Sequence, residues 1–151
     1  MEPSDEESIA RRSAKVVVID RSGHVLLFCA GDPARPTAGT WWFPPGGGVE
    51  DDETDEQAAL RELREETGLV LESVGSPIAT RRVRFNFEGS VLDSDEVYFI
   101  VRVDRFDLDD AGWTDTERRV VVEHRWWSQK ELAETTETVY PEQLLSWLSE
   151  T

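Results

Sequence analysis

A chain of 151 residues has the size of one compact domain and can bury a real hydrophobic core. Its 32 acidic against 16 basic residues leave a formal charge of −16, which repels bare nucleic acid and argues against it as a partner. No apolar run is long enough to span a bilayer and the single cysteine, Cys29, excludes an internal disulfide, so the expectation is a cytoplasmic protein with no membrane partner.

Residues 1–8 read as a short acidic, mobile tail ahead of a single domain over 9–151. Lys15–Asp20 and Val25–Cys29 are dense β-branched and apolar runs around Ser22-Gly23, a pattern that predicts two antiparallel strands joined by a tight turn. Ala30–Thr40 is rich in Gly and Pro and reads as a long loop. Trp41–Phe43 predicts a short aromatic strand that ends against Pro44-Pro45 and Gly46–Gly48.

Thr54–Thr67 is the clearest helix. Thr54 suits the N-cap, Gln57 completes the capping-box spacing, Asp55 and Glu56 suit the positive end of the helix dipole, and Gly68 stops it. Strands are then expected over Val70–Val74, Val83–Phe87 and Val97–Val103, an acidic loop over Asp104–Glu117, and a further strand over Val120–Trp127. Pro141 is placed to open a last helix with Leu144, Leu145 and Leu148 on one face. The order predicts an α/β fold, a mixed sheet packed between helices.

On the central helix, Glu62, Glu65 and Glu66 share an arc of about 100°, with Asp55 and Ala58 on the same arc. Ala59, Leu60, Leu63 and Thr67 form the stripe expected to face the core. Three like charges on one face repel one another, and a hard divalent cation relieves that repulsion; all-oxygen ligands select Mg²⁺, Mn²⁺ or Ca²⁺. On spacing alone, a solvated acidic face is the readier reading, since such faces are common in an acidic protein.

Residues 47–69, GGVEDDETDEQAALRELREETGL, resemble the Nudix box, the signature of the MutT-like pyrophosphohydrolases. Its defined positions are met by Gly47, Glu53, Arg61, Glu62, Leu63, Glu65, Glu66, Gly68 and Leu69. Asp52 stands where many members have Gly, and removes no expected ligand. The resemblance implies a Nudix-type α/β/α sandwich. It also implies Mg²⁺-dependent hydrolysis, with Mn²⁺ as an alternative, of a phosphoanhydride bond in a nucleoside diphosphate linked to another moiety. Nucleoside triphosphates, nucleotide sugars and dinucleoside polyphosphates are the candidate small-molecule substrates, and the oligomeric state stays open. A non-catalytic nucleotide-sensing module of the same fold is the alternative.

Carried over residue by residue, the resemblance makes Glu62 and Glu66 the firmest metal ligands, with Glu65 and the Gly46 carbonyl as further ones. Arg61 is expected to pair with Glu53 and belongs with the three glutamates in the catalytic set, while Gly47, Glu53 and Gly68 support the loop and helix; Glu50 is a candidate second carboxylate. The general base is Glu62 or Glu66 of the box, or a later residue, Glu117 or Glu123. Substrate contacts are sought at Arg35, Arg81, Trp42 and Tyr98, although aromatic residues in strands are more often core.

Overall fold

The run Val16-Val17-Val18-Ile19 is buried on both faces, with Val16, Val17 and Val18 fully covered and Ile19 2% exposed. A strand covered on both sides reads as a continuous apolar run instead of an alternating one. The computed structural model, which describes residues 8–87 and 89–149, accordingly makes this strand, β1 (Ser8–Ile19), the centre of the sheet. β1 pairs in parallel with β6 (Ser90–Arg102) from Ser8↔Val91 to Ile19↔Arg102, and β6 pairs antiparallel with β5 (Ala79–Phe87).

Two strands share the other edge of β1. β2 (Val25–Gly31) meets it at Ile19↔Val25, and β4 (Gly46–Gly48) pairs with Ser13, Ala14 and Lys15. β2 in turn carries β3 (Thr40–Phe43) and β7 (Val121–Trp127), completing a seven-stranded mixed sheet. The expected hairpin therefore pairs only beside its turn. Beyond Ile19 the neighbours diverge, because β4 takes the β1 edge that β2 leaves free.

Helix α1 (Asp55–Thr67) has the caps the sequence predicts. The Thr54 hydroxyl accepts from Gln57 N, the Gln57 side chain accepts from Thr54 N, and Gly68 adopts a left-handed conformation at φ 81°. Ala58, Ala59 and Leu63 pack against Ala14, Val16, Val18, Leu26, Val97 and Phe99 on one face of the sheet. The opposite face buries Val17, Ile19, Val25, Leu27, Trp42, Tyr98 and Trp127 against Leu144 and Leu148 of α4 (Leu144–Ser149) and half-buried Leu132 of α3 (Gln129–Glu134). Helices thus cover both faces of a mixed sheet, an α/β fold. Among the described residues no helix is long and apolar enough to cross a membrane.

Several elements differ from expectation. The acidic tail expected over residues 1–8 lies outside the described residues except for Ser8, where β1 begins. Val70–Val74 is irregular chain. Leu69 and Leu71 pack on the core while Val70 is 74% exposed, but Val74, which a strand would place on the same face as Val70, is 3% exposed, and the segment forms no ladder. The glycine triplet is strand β4, where glycine lets the backbone press against β1. The acidic loop ends in an unforeseen helix, α2 (Asp115–Val120), capped by Thr114. The last helix begins at Leu144, three residues after Pro141. Cys29 is a buried thiol, and burial pushes its pKa up.

Candidate metal centre and active site

The site forms where β4 passes over α1. Gly46 has φ 146°, a conformation L side chains rarely adopt, and a Cβ there would strike the Ala14 carbonyl and Lys15. This lets the chain lie flat on β1 and point Gly46 N at Glu66 Oε2, 3.4 Å away. Gly47 is needed for a different reason: a Cβ would fall 2.5–2.7 Å from the Glu62 carboxylate carbon and oxygens. Two box carboxylates therefore sit directly under a backbone stripped of side chains.

Arg61 fixes the loop above them. Its Nε and Nη2 donate to the two oxygens of Glu53 at 2.6 and 2.8 Å, and Nη2 also donates to the Gly48 carbonyl at 2.9 Å. Nη1 donates to Glu62 at 2.8 Å and to Glu65 at 3.3 Å. Only a planar fork of five donors can serve so many acceptors at once. The guanidinium holds the Glu53 carboxyl down to about 2, and Glu53 raises the pKa of Arg61 in return. Glu50 contributes its backbone N–H to Glu53, 3.0 Å away.

Glu66 is the outlier of the group. The helical wheel puts it on the acidic face, yet it is 6% exposed, and the buried side of α1 includes Ala58, Ala59, Leu63, Glu66 and Thr67. Burial pushes its carboxyl well above the usual range; Lys15 opposes that push, while Glu62 and Glu117 add to it. Lys15, in β1 and 5.3 Å from the Phe43 ring centre, is itself driven down by burial and held up by Glu96, Glu66 and Glu62.

Oxygens of Glu62, Glu66 and Glu117 lie within 4.8 Å of one another. Three carboxylates at that spacing, two of them half-buried and one buried, offer a hard divalent cation the oxygen donors it prefers. Glu65 is not in this group; its side chain is 37% exposed and turned to Arg61. Of the two late glutamates, Glu117 reaches the cluster from the first turn of α2, whereas Glu123 lies exposed on β7 opposite Cys29.

A family model described as NUDIX domain matches residues 10–148, a range that includes all three carboxylates. The chain belongs to the Nudix family. It falls in the class of Nudix pyrophosphohydrolases. No curated protein matches it by sequence. Among solved structures, the MutT NUDIX hydrolase from Burkholderia pseudomallei is similar at 18% identity and TM-score 0.67, over 95% of this chain and 98% of that one. A C. elegans Ap4A hydrolase in a binary complex is similar at 18% identity and TM-score 0.58, over 93% of each chain. The NUDIX domain of Shewanella oneidensis NrtR, complexed with ADP ribose, is similar at 18% identity and TM-score 0.66, over 99% of this chain and 92% of that one. At these identities the likeness is one of fold.

The expected substrate contacts of this Nudix chain are scattered. Arg35 is exposed on the loop before a short 3₁₀ turn, Pro36–Ala38. Trp42 is 2% exposed, donates Nε1 to Glu137 at 3.1 Å and stacks edge-on against Trp127. Tyr98 is 2% exposed and donates its hydroxyl to Glu96 at 2.8 Å, and Arg81 donates to the same oxygen at 3.2 Å. Arg81 also lies 5.4 Å from the Tyr140 ring centre. Tyr98, Glu96, Arg81 and Lys15 share the sheet face away from α1, and the Lys15 charge is felt by Glu96, Glu66 and Glu62. Lys15 and Glu96 escaped the sequence reading. A lysine heading an unbroken apolar strand was the available signal.

Proposed function

We propose that the chain hydrolyses a phosphoanhydride bond in a nucleoside diphosphate linked to another moiety, with Glu62, Glu66 and Glu117 as the carboxylates that hold Mg²⁺ or Mn²⁺. The observation that carries this reading is the convergence of those three side chains within 4.8 Å, with Glu66 and Glu62 lying beneath Gly46 and Gly47. A divalent cation bound there supplies charge neutralisation at the diphosphate and a more acidic attacking water. The protein does the rest. Glu53 and Arg61 hold the loop and Glu62 in place, Gly46–Gly48 leave the backbone open to the diphosphate, and a carboxylate of the cluster takes the proton from the water. The attacking oxygen bonds to one phosphorus as the bridging P–O bond breaks, and the departing phosphate carries away the electron pair. In this reading Glu65 supports Arg61 in place of sharing the central cluster.

Nucleoside triphosphates, nucleotide sugars such as ADP-ribose, and dinucleoside polyphosphates form the test panel, assayed with Mg²⁺ or Mn²⁺ and with products identified by mass. Running the reaction in ¹⁸O-water places the label on the phosphorus that is attacked. Turnover of at least one compound that vanishes with chelator supports the proposal; none across the panel overturns it. Tight nucleotide binding without metal or turnover would point instead to a sensing module.

A further inference from the structure

Carbonyls of the last turn of a helix have no partner within the helix. In α1 two of them, Glu66 and Thr67, find donors in the segment that leads to α2. Trp113 Nε1 donates to the Glu66 carbonyl at 2.7 Å, and Asp109 N donates to the Thr67 carbonyl at 3.0 Å. The two chains run very close. A Cβ at Gly112 would fall 2.6 Å from the Glu65 carbonyl oxygen, and one at Gly68 would fall 2.7 Å from the Asp109 Cβ.

Trp113 is also held from its other side. Its ring packs edge-on against Phe28 of β2, with centroids 5.8 Å apart, and its backbone N–H donates to the Asp110 carbonyl at 3.0 Å. The next residue, Thr114, caps α2, and Glu117 closes that capping box while its carboxylate faces Glu62 and Glu66. The indole thus binds the backbone of one member of the cluster four residues before another member.

We propose that Trp113 is a positioning residue for the metal centre, its indole N–H on the Glu66 carbonyl fixing how far Glu117 stands from Glu62 and Glu66. The proposal rests on the metal reading of those three carboxylates. A helix of six residues has little rigidity of its own, so the placement of Glu117 depends on what anchors the chain before it. The ring wedged on Phe28 gives the segment its place, and the N–H gives it its register on α1.

W113F keeps an aromatic ring to pack on Phe28 and removes the donor, and E117Q removes the ligand that the donor is said to place. The full chain, its W113F and E117Q variants and the double variant are titrated with Mn²⁺ in the absence of substrate. Expected is a loss of Mn²⁺ affinity of about tenfold in W113F, the scale of outer partners that orient ligands. In the E117Q background the same change should cost nothing further. Once substrate turnover is in hand, W113F should lower kcat more than it raises KM. Equal losses in both backgrounds mean general loosening and overturn the proposal, as does unaltered Mn²⁺ affinity in W113F. If E117Q itself binds Mn²⁺ like the wild type, the metal reading of Glu117 falls and the proposal falls with it. If W113F folds poorly, G112A, whose Cβ would press on the Glu65 carbonyl, should weaken Mn²⁺ binding in the wild-type but not the E117Q background.

Discussion

Arg61 grips Glu53 through two parallel hydrogen bonds, Nε to Oε2 at 2.6 Å and Nη2 to Oε1 at 2.8 Å, while its remaining amino group reaches Glu62. One side chain therefore ties the loop before α1 to a carboxylate on α1. Lysine keeps the charge but offers no fork. R61K should lower kcat/KM by at least about tenfold and stability by roughly 2 kcal/mol, the scale of a hydrogen bond to a charged group. Urea melts and initial rates check both, and wild-type rates in R61K would remove Arg61 from the site's support.

The same pair sets a pH dependence. Arg61 holds the folded Glu53 carboxyl at about 2 against an ordinary value of 4.5. A depressed carboxylate contributes stability above its unfolded value, and that contribution is lost as pH falls toward the folded one. Wild-type stability should drop between about pH 4.5 and 2, and E53Q, lacking the titrating group, should lose less over that window. Chemical denaturation at pH 6 and pH 3 measures the difference.

Gly47 does not need glycine for its dihedral angles, as Gly46 does; it needs it because Glu62 occupies the space of a Cβ. G47A should push the Glu62 carboxylate aside, weakening Mn²⁺ binding and turnover while the sheet stays folded. Mn²⁺ titration beside a circular-dichroism melt separates the two effects. A variant that binds metal like the wild type would show that Glu62 relaxes freely.

Burial raises the Glu66 carboxyl well above the usual range, with Glu62 and Glu117 adding and Lys15 opposing. A carboxyl raised on folding contributes stability below its unfolded value, and the contribution is lost as pH rises through the folded one. Metal-free wild type at pH 8 should therefore be no more stable than E66Q. Mn²⁺ should reverse the order, since a ligand at a hundred times its Kd stabilises the native state by about 2.7 kcal/mol. Thermal melts of both proteins, with Mn²⁺ and with chelator, decide the matter, and an equal metal-induced rise in E66Q would exclude Glu66 as a ligand.

The box helix was legible because each of its signals is local: Thr54, Gln57 and Gly68 act within one turn of themselves, and the structure uses all three. The short helices α2 and α3 carry the same signal. Thr114 with Glu117 and Ser128 with Glu131 are capping boxes visible in the sequence, hidden only because six residues are too few for periodicity to register. Val70–Val74 misled for the opposite reason. Its apolar residues report only that side chains such as Leu71 and Val74 are covered by the core, and are silent on whether a neighbouring strand exists. The site divides in the same way. Glu62 and Glu66 come from one helix and could be placed by counting. Glu117, which the sequence offers only as one of two late candidates beside Glu123, reaches it from a short helix, and Lys15 and Trp113 come from a distant strand and loop; the parallel β1–β6 pairing and the return of the chain past Phe28 bring them there.

Trp42 illustrates how burial reassigns a residue. Its ring is 2% exposed, set edge-on to Trp127 at 5.0 Å, and its N–H is spent on Glu137. A base cannot stack on a ring that is buried in the same core cluster as Trp127 and the α4 leucines. W42A should destabilise the protein by about 3–5 kcal/mol, as removal of a large buried aromatic does. W42F keeps most of the packing and forfeits the Glu137 bond, for roughly 1 kcal/mol, and should leave KM at the wild-type value. Steady-state kinetics on W42F beside its urea melt test this. A raised KM with unchanged stability would return Trp42 to the substrate pocket.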